Sequence, residues 1–489
     1  MKFICGEHRD QMYLLPDRIE DYVDDTNPVR VIDAFINGLN LIDLGFAGAE
    51  LKDTGRPPYD PRDILKLYVY GYINRVRSSG RLEKETRRNL EVIWLLGKLS
   101  PDHKTISDFR RDNSDALKKV FRSFVRLCVR IGLYGKELVA IDGSKFKAVN
   151  AKDRNFTEKK LSDRLARIEG KIEEYLKELE ATDEVGDSAE REKSAQEIMK
   201  IVDSLKERKD LYYGYAKELA GTGETQKSLT DTDSRLMKAN GRMEECYNVQ
   251  TAVDSKNKMI AEFEVTNRAD DFNQVQKMSA QTEQMLETKG LKVVVDAGYD
   301  SVQEIVACMQ DGVDLHVAGT DFDVCVKGDT AGGTITEHKD GRCVYFSDRN
   351  IVLCPMGEVL YPKFYSESKK QGVFSNHLAC KDRGFRCVKG SLARRHKVPL
   401  PEGSFTKEYD DQNLCVKQVR IKADKSIVRQ RKSIVEHPFG TIKRGMDAGY
   451  CLTKGLRTVA GEFSLAFLAY NIKRAITILG CRKLIEMMA

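Results

Sequence analysis

Two short apolar runs, "LVAI" at residues 138–141 and "VVV" at 293–295, each end on an aspartate, Asp142 and Asp296. Glycine follows both, directly in "IDG" and after one residue in "DAG". Runs this apolar and this short read as buried strands. A buried strand that ends in Asp and then turns on glycine delivers its carboxylate to the rim of a sheet, where ligands bind in α/β folds. Strands of this kind need helices to cover them, so the pattern points to a mixed α/β layer architecture. The alternative for each aspartate is a turn or helix-cap residue.

The surrounding sequence agrees with that architecture. At 489 residues the chain is too long for one ordinary core. Residues 1–135 read as a helical domain. In "YDPRDILKLYVYGYINRV" Asp60 is an N-cap with Pro61 at the first helical position, and Ile64, Leu65, Tyr68 and Tyr72 follow at helical spacing. "SDALKKVFRSFVRLCVRIGL" repeats the pattern, with Lys118, Lys119, Arg122, Arg126 and Arg130 on its polar face. That basic face fits either DNA contact or simple solvation. Trp94, the only tryptophan, sits in an apolar helix and reads as core.

Residues 136–489 form the second domain, entered through "KELVAIDGSKFKAV". "YNVQTAVDSKNKMIAEFEVTN" is a hairpin around the turn "DSKNK", "LKVVVDAGYD" is a strand, and "SVQEIVACMQDGVDLHVAG" is a helix followed by a strand. Two insertions interrupt it. Residues 156–219, Lys/Glu-rich and almost free of Pro and Gly, predict a helical hairpin. Residues 320–415 hold Gly-rich turns, β-like runs and six of the twelve cysteines, and read as a β-rich subdomain. After about Ser426 the pattern returns to helix, and "GEFSLAFLAYNIKRAITIL" is amphipathic enough to pack on a sheet.

Two neighbouring carboxylates repel unless a cation neutralises them. Mg²⁺ (or Mn²⁺) suits them, because it prefers hard oxygen ligands and keeps waters that a phosphate oxygen can replace. A third acid, Glu436, stands alone in the cationic stretch "RKSIVEHPFGTIKR". It brings enough negative charge for two ions, which can flank a phosphodiester. From Val416 to Arg444 there are nine Lys or Arg against Asp424 and Glu436, and from Lys381 to Lys397 seven against Asp382. These stretches suggest a polyanion surface despite a net charge of only +6. On an α-helix Lys443 shares the Glu436 stripe, while Pro438 predicts that the helix begins or kinks near Glu436.

Taken in order, "IDGSKFKAVNAKDRNFT", "DTDSRLMK" with "YNVQTAVD", "VVVDAGYDS" and "VEHPFGTIKR" resemble the DDE transposases of bacterial insertion sequences, the type called eleven-eighty-two. The helical start resembles them too, in "GRPPYDPRDILKLYVYGYINRVRSSGRLEKETRRN" and "PDHKTISDFRR". The resemblance implies a ribonuclease H-like core with Asp142, Asp296 and Glu436 as catalytic metal ligands for two Mg²⁺. It also implies cleavage at terminal inverted repeats and strand transfer into target DNA. In such transposases a Tyr, an Arg and a Lys accompany the glutamate. Here Lys443 matches the Lys, Lys432 takes the Arg position and Arg429 the Tyr position, so charge is kept and the aromatic is lost. Arg444 adds a further cation. The cysteine-rich insertion also resembles the family's, and Cys354, His377, Cys380 and Cys387 are a candidate structural zinc set against the alternative of ordinary thiols.

The partners implied are DNA ends and target DNA, with a dimer or larger assembly at synapsis. The sequence shows neither a membrane-spanning run nor a signal peptide, which predicts a cytoplasmic, nucleoid-associated protein with free thiols. Two other readings share the carboxylates: a ribonuclease H-fold nuclease or resolvase that cuts without joining, and a DNA-binding protein descended from a transposase.

Overall fold

The computed structural model describes residues 18–488 except 51–56, 150–153, 183–187, 223–225, 240, 272–273, 297–298, 300–307, 309–310, 318–332, 339–340, 348, 354–358, 379–394, 402 and 410–424. Among the described residues, a 3-10 turn at Ile19–Tyr22 is followed by seven α-helices: α1 Pro28–Asn37, α2 Leu41–Leu44, α3 Pro61–Ile73, α4 Ser79–Arg88, α5 Leu90–Leu95, α6 His103–Asp112 and α7 Ser114–Arg130. A side-chain cap starts each of α1 to α6. Asn27, Asp60 and Asp102 accept hydrogen bonds from the first-turn amides of α1, α3 and α6, and Pro28 and Pro61 occupy first positions where an N–H has no partner to lose.

Ten elements follow: β1 Leu138–Lys147, β2 Asn155–Thr157, α8 Glu158–Thr182, α9 Ser188–Thr222, β3 Gln226–Ser228, β4 Arg235–Ala239, β5 Arg242–Asp254, β6 Ile260–Thr266, α10 Val275–Leu286 and β7 Lys292–Val295. Next come β8 Asp314–Val317, β9 Gly333–His338, β10 Gly341–Phe346, β11 Ile351–Leu353, β12 Val359–Ser366, β13 Gln371–Ser375 and β14 Arg395–Pro399. Three helices close the chain: α11 Lys425–Gly440, α12 Leu456–Leu479 and α13 Cys481–Glu486.

The main sheet is mixed, in the order β4-β5-β1-β7-β8, with β6 also pairing β5. β1 runs antiparallel to β5 and parallel to β7, and β7 runs parallel to β8. β5 and β6 are the arms of the "DSKNK" hairpin. The helix expected between β7 and β8 falls mostly outside the described residues. The charged stretch before β3 is α8 packed along α9. β9 to β14 form a separate antiparallel sheet over a small core of Tyr345, Val352, Leu360, Phe374 and Val398.

α12 departs from expectation. Every side chain from Phe463 to Ile472 is buried, so this middle stretch of the helix is covered all round and exposes no polar face, while its ends, with Arg457 and Lys473, reach solvent. The physical reason is its place between two layers. Phe467 meets Phe263 of β6 on one side, with ring centroids 4.8 Å apart, while α3 and α7 pack on the other. One continuous hydrophobic cluster therefore runs from α1 through the main sheet to α13. Among the described residues, no helix is long and apolar enough to cross a membrane.

Candidate active site

β1 and β7 bring the two aspartates together. Ala140 pairs with Val294 in parallel register, and continuing that register by two residues sets Asp142 level with Asp296, which lies just past the end of β7. β1 does not end and turn at Asp142 as expected but runs on to Lys147, because Gly143 to Lys147 stay paired with Gln250 to Cys246 of β5. Gly143 is required next to them. A Cβ there would collide with Gln250 Nε2 and Asp271 Oδ1 and lie 2.9 Å from Asn248 Oδ1. The close approach serves a polar cluster under the strand. Asp271 Oδ1 accepts from Asn248 Nδ2 and Gln250 Nε2, both at 2.7 Å, and pairs with Lys145 Nζ at 3.4 Å. The Tyr299 hydroxyl donates to Gln250 Oε1.

One guanidinium joins the aspartates. Arg431 Nη1 lies 3.2 Å from Asp142 Oδ2, and its Nη2 lies 3.0 Å from Asp296 Oδ2. Burial pushes the Asp142 carboxyl up to about 6, with Asp296 and Asp271 adding to the rise. Arg431 and the Gly143 N–H, which donates to Asp142 Oδ1 at 2.9 Å, act the other way.

Arg431 and Asp271 were both missed in the sequence. A signal for Arg431 existed, since it sits three and four residues before buried Ile434 and Val435, on the apolar stripe of α11. Asp271 lies in a loop, "RADDF", with no strand or motif to mark it.

α11 corrects the reading of Pro438. The helix runs unbroken from Lys425 to Gly440 with Pro438 inside it, and neither begins nor ends at Glu436. Buried Ile434, Val435, Phe439 and Ile442 anchor this segment and outweigh the one backbone hydrogen bond the proline cannot make. The irregularity comes later, as a π-turn over Thr441–Gly445 in which Met446 N bonds Thr441 O at 2.8 Å.

Arg429, Lys432 and Glu436 consequently share one face of a continuous helix, all exposed. Glu436 makes no hydrogen bond or ion pair with the described residues, and no set of three or more potential metal ligands is gathered among them. Arg444 is exposed. Lys443 instead turns inward. Its ammonium donates to Ser144 Oγ at 2.7 Å and to the Lys145 carbonyl at 2.9 Å, and lies 4.4 Å from the centre of the Phe146 ring. Burial lowers its pKa.

Elsewhere the basic face of α7 is partly neutralised: Lys118 pairs with Glu264 at 3.1 Å and Arg122 with Glu262 at 2.8 Å. Trp94 packs partly buried against the core, and its indole donates to Glu20 at 2.8 Å. Among the described residues, Cys128, Cys246, Cys451 and Cys481 are buried thiols outside any disulfide. Of the zinc candidates, Cys354, Cys380 and Cys387 lie outside the described residues, and His377 is exposed.

Residues 222–472 match the family described as Transposase DDE domain, just over half of the chain. The chain belongs to the DDE transposase family. A second family, Transposase domain (DUF772), matches residues 17–112, the helical start of the transposase. The DDE match spans Asp296 and Glu436 and begins after Asp142, so the pairing of β1 with β7 ties Asp142 to that domain independently. No curated protein matches the chain. A solved structure described as the piggyBac transposase synaptic complex with hairpin DNA shares 9% identity at a TM-score of 0.30, covering 95% of this chain and 78% of that one. A likeness that weak supports no argument about this transposase.

Proposed function

We propose that this DDE transposase cleaves DNA at the ends of an insertion sequence and joins the freed strand to target DNA, using Mg²⁺ (or Mn²⁺) held by Asp142 and Asp296. The observation that carries the reading is the aspartate pair: two hard-oxygen donors brought side by side by adjacent parallel strands, Asp296 inside the family match and Asp142 tied to it by the β1–β7 pairing, both turned toward one guanidinium. A ribonuclease H-like core is supported by the strand order β6-β5-β1-β7-β8, with Asp142 on the central strand and Asp296 just past its parallel neighbour.

Glu436 is the third acid in this reading, available because none of the described residues engages it. When bound, the divalent ions supply Lewis-acid stabilisation of the charge that develops on the attacking and leaving oxygens. The protein's own groups do the rest. Asp142 on β1 and Asp296 just past β7 fix the donor oxygens, and the hydrogen bond from Gly143 N–H orients Asp142. Exposed Arg429, Lys432 and Arg444 take phosphates of the bound strand, each as a positioning contact without sequence readout. Lys443 joins them only by leaving Ser144. On α7, Lys119, Arg126 and Arg130 remain exposed for DNA after Glu262 and Glu264 have taken the other two cations. Two subunits at synapsis would show as a dimer or larger species in light scattering of the DNA-bound protein, and one subunit per end would refute it.

The deciding experiment is cleavage of a supercoiled plasmid carrying the element's own ends, with Mg²⁺ or Ca²⁺, by the wild type, Asp296→Asn and Glu436→Gln. Nicking at the ends that needs Mg²⁺ and falls roughly a hundredfold or more in each variant, with DNA binding retained, is the expected result. Wild-type activity in Asp296→Asn would overturn the metal-carboxylate reading. Wild-type activity in Glu436→Gln alone would move the third role to Asp271, the remaining carboxylate coupled to Asp142.

A further inference from the structure

We propose that Arg431 is an internal counter-ion that occupies the place of the divalent metal, and that metal loading requires its guanidinium to withdraw. This rests on the reading of Asp142 and Asp296 as metal ligands, and it adds a residue that competes with the ion.

The geometry is specific. Arg431 is about nine-tenths buried and stands on α11, which packs across both β1 and β7. Its two terminal nitrogens each take a different aspartate, and both reach an Oδ2 atom. Among the described residues those two oxygens have no other hydrogen-bond donor, whereas Asp142 Oδ1 is satisfied by the Gly143 amide. The aspartates therefore turn one oxygen apiece toward a single positive group. Asp271 does not share it, being held by Asn248, Gln250 and Lys145.

A buried guanidinium between two carboxylates solves the problem that two neighbouring anions pose, since breaking such a set leaves uncompensated buried charge. It also excludes a second cation. A divalent ion placed on the same two oxygens would face the fixed positive charge of Arg431, which stays protonated at every working pH. Cation against cation at contact distance in a half-buried site is strongly repulsive, so the two occupants alternate. The site is then closed by its own side chain until metal arrives.

Mn²⁺ binding by the full-length protein tests this, read as free Mn²⁺ by electron paramagnetic resonance, for the wild type, Arg431→Met, Arg431→Lys and Asp142→Asn/Asp296→Asn. Removing the competitor should tighten Mn²⁺ binding about tenfold or more in Arg431→Met, with Arg431→Lys between it and the wild type. In EDTA the Arg431→Met protein should melt below the wild type, and saturating Mn²⁺ should close that gap. A purely structural arginine predicts the reverse for affinity: equal or weaker binding in Arg431→Met, with the double aspartate variant still losing the ion. That result overturns the counter-ion role and leaves the metal reading standing. Binding that is absent from the wild type and from Arg431→Met, or unchanged by the double aspartate substitution, sinks the metal reading and this inference together.

A second measurement needs no variant. Modification of wild-type Arg431 by phenylglyoxal, located by mass spectrometry, should rise when Mn²⁺ is added. Protection that persists at saturating Mn²⁺ would mean that the guanidinium stays in place, against the proposal.

Discussion

Asp142 carries a cost that the sequence could only hint at. Its pKa, near 6 against an ordinary 3.8, means that the native state keeps a proton the unfolded chain has already released. Below 3.8 both states are protonated and the group is neutral to stability. Between 3.8 and about 6 stability falls as pH rises, and above that the whole cost is present. Asp142→Asn should accordingly stabilise the metal-free protein at pH 7 by up to about 3 kcal/mol, a gain that shrinks toward zero as pH falls to 3.8. Urea denaturation in EDTA from pH 4 to 7.5 measures it, and a gain independent of pH would contradict it. Gly143→Ala tests the same corner by sterics. The added methyl meets Gln250 and Asp271, so the variant should lose about 1–3 kcal/mol of stability. The aspartates were legible because an apolar strand running into Asp before glycine is a local pattern, although only β7 stops there and β1 runs on through Asp142 to Lys147. Arg431 was not: it stands in a run of nine cations between Val416 and Arg444, and only the rotational phase of α11 buries it while Arg429 and Lys432 stay exposed.

That phase is a property of the element. Proline argued for a start or a kink near Glu436, but the helix starts at Lys425, the buried residues on either side hold α11 helical through Pro438, and the departure from α-geometry falls beyond Gly440. There the π-turn changes the angular step, and Lys443 points at β1 while Glu436 and Lys432 face solvent. Local rules saw the proline; they had no access to the packing that overrides it. The hairpin of β5 and β6, by contrast, was readable because alternation and turn chemistry are both local. Lys443 now has two possible duties, which one substitution separates. Lys443→Met keeps a stem to lie over Phe146 and deletes the bonds to Ser144 and Lys145, so as a structural tie it should cost about 2 kcal/mol in the free protein. If Lys443 serves phosphate alone, thermal melting without DNA stays at the wild-type value and DNA affinity drops.

At the scale of the molecule, the helices of residues 28–130 and the catalytic sheet are not separated by a thin linker. α12 is the shared centre. Asn471 bonds both the N–H and the carbonyl of Ile260 in β6, at 3.0 and 2.8 Å, from the helix that α3 and α7 cover on the other side. Buried Glu462 accepts from Arg77 at 3.2 Å, just beyond α3, and from the amides of Leu452 and Thr453. Gly461 lets α12 approach the start of α7 so closely that a Cβ would lie 2.8 Å from Ser114 Cα. The change of texture near residue 135 was plain in the sequence, but a texture boundary reports secondary structure and says nothing about which surfaces are buried across it. The physical consequence is cooperative. A chain beginning at residue 136 would expose the α12 face that α3 and α7 cover and leave Glu462 without Arg77. Such a fragment should be insoluble or bind a hydrophobic dye strongly. In the intact protein Gly461→Ala should lower the melting of α7 and of the sheet together. Hydrogen exchange resolved along the chain checks this: protection lost in parallel from residues 114–130 and 260–266 is expected, and loss confined to the helices would mean that the two layers unfold separately.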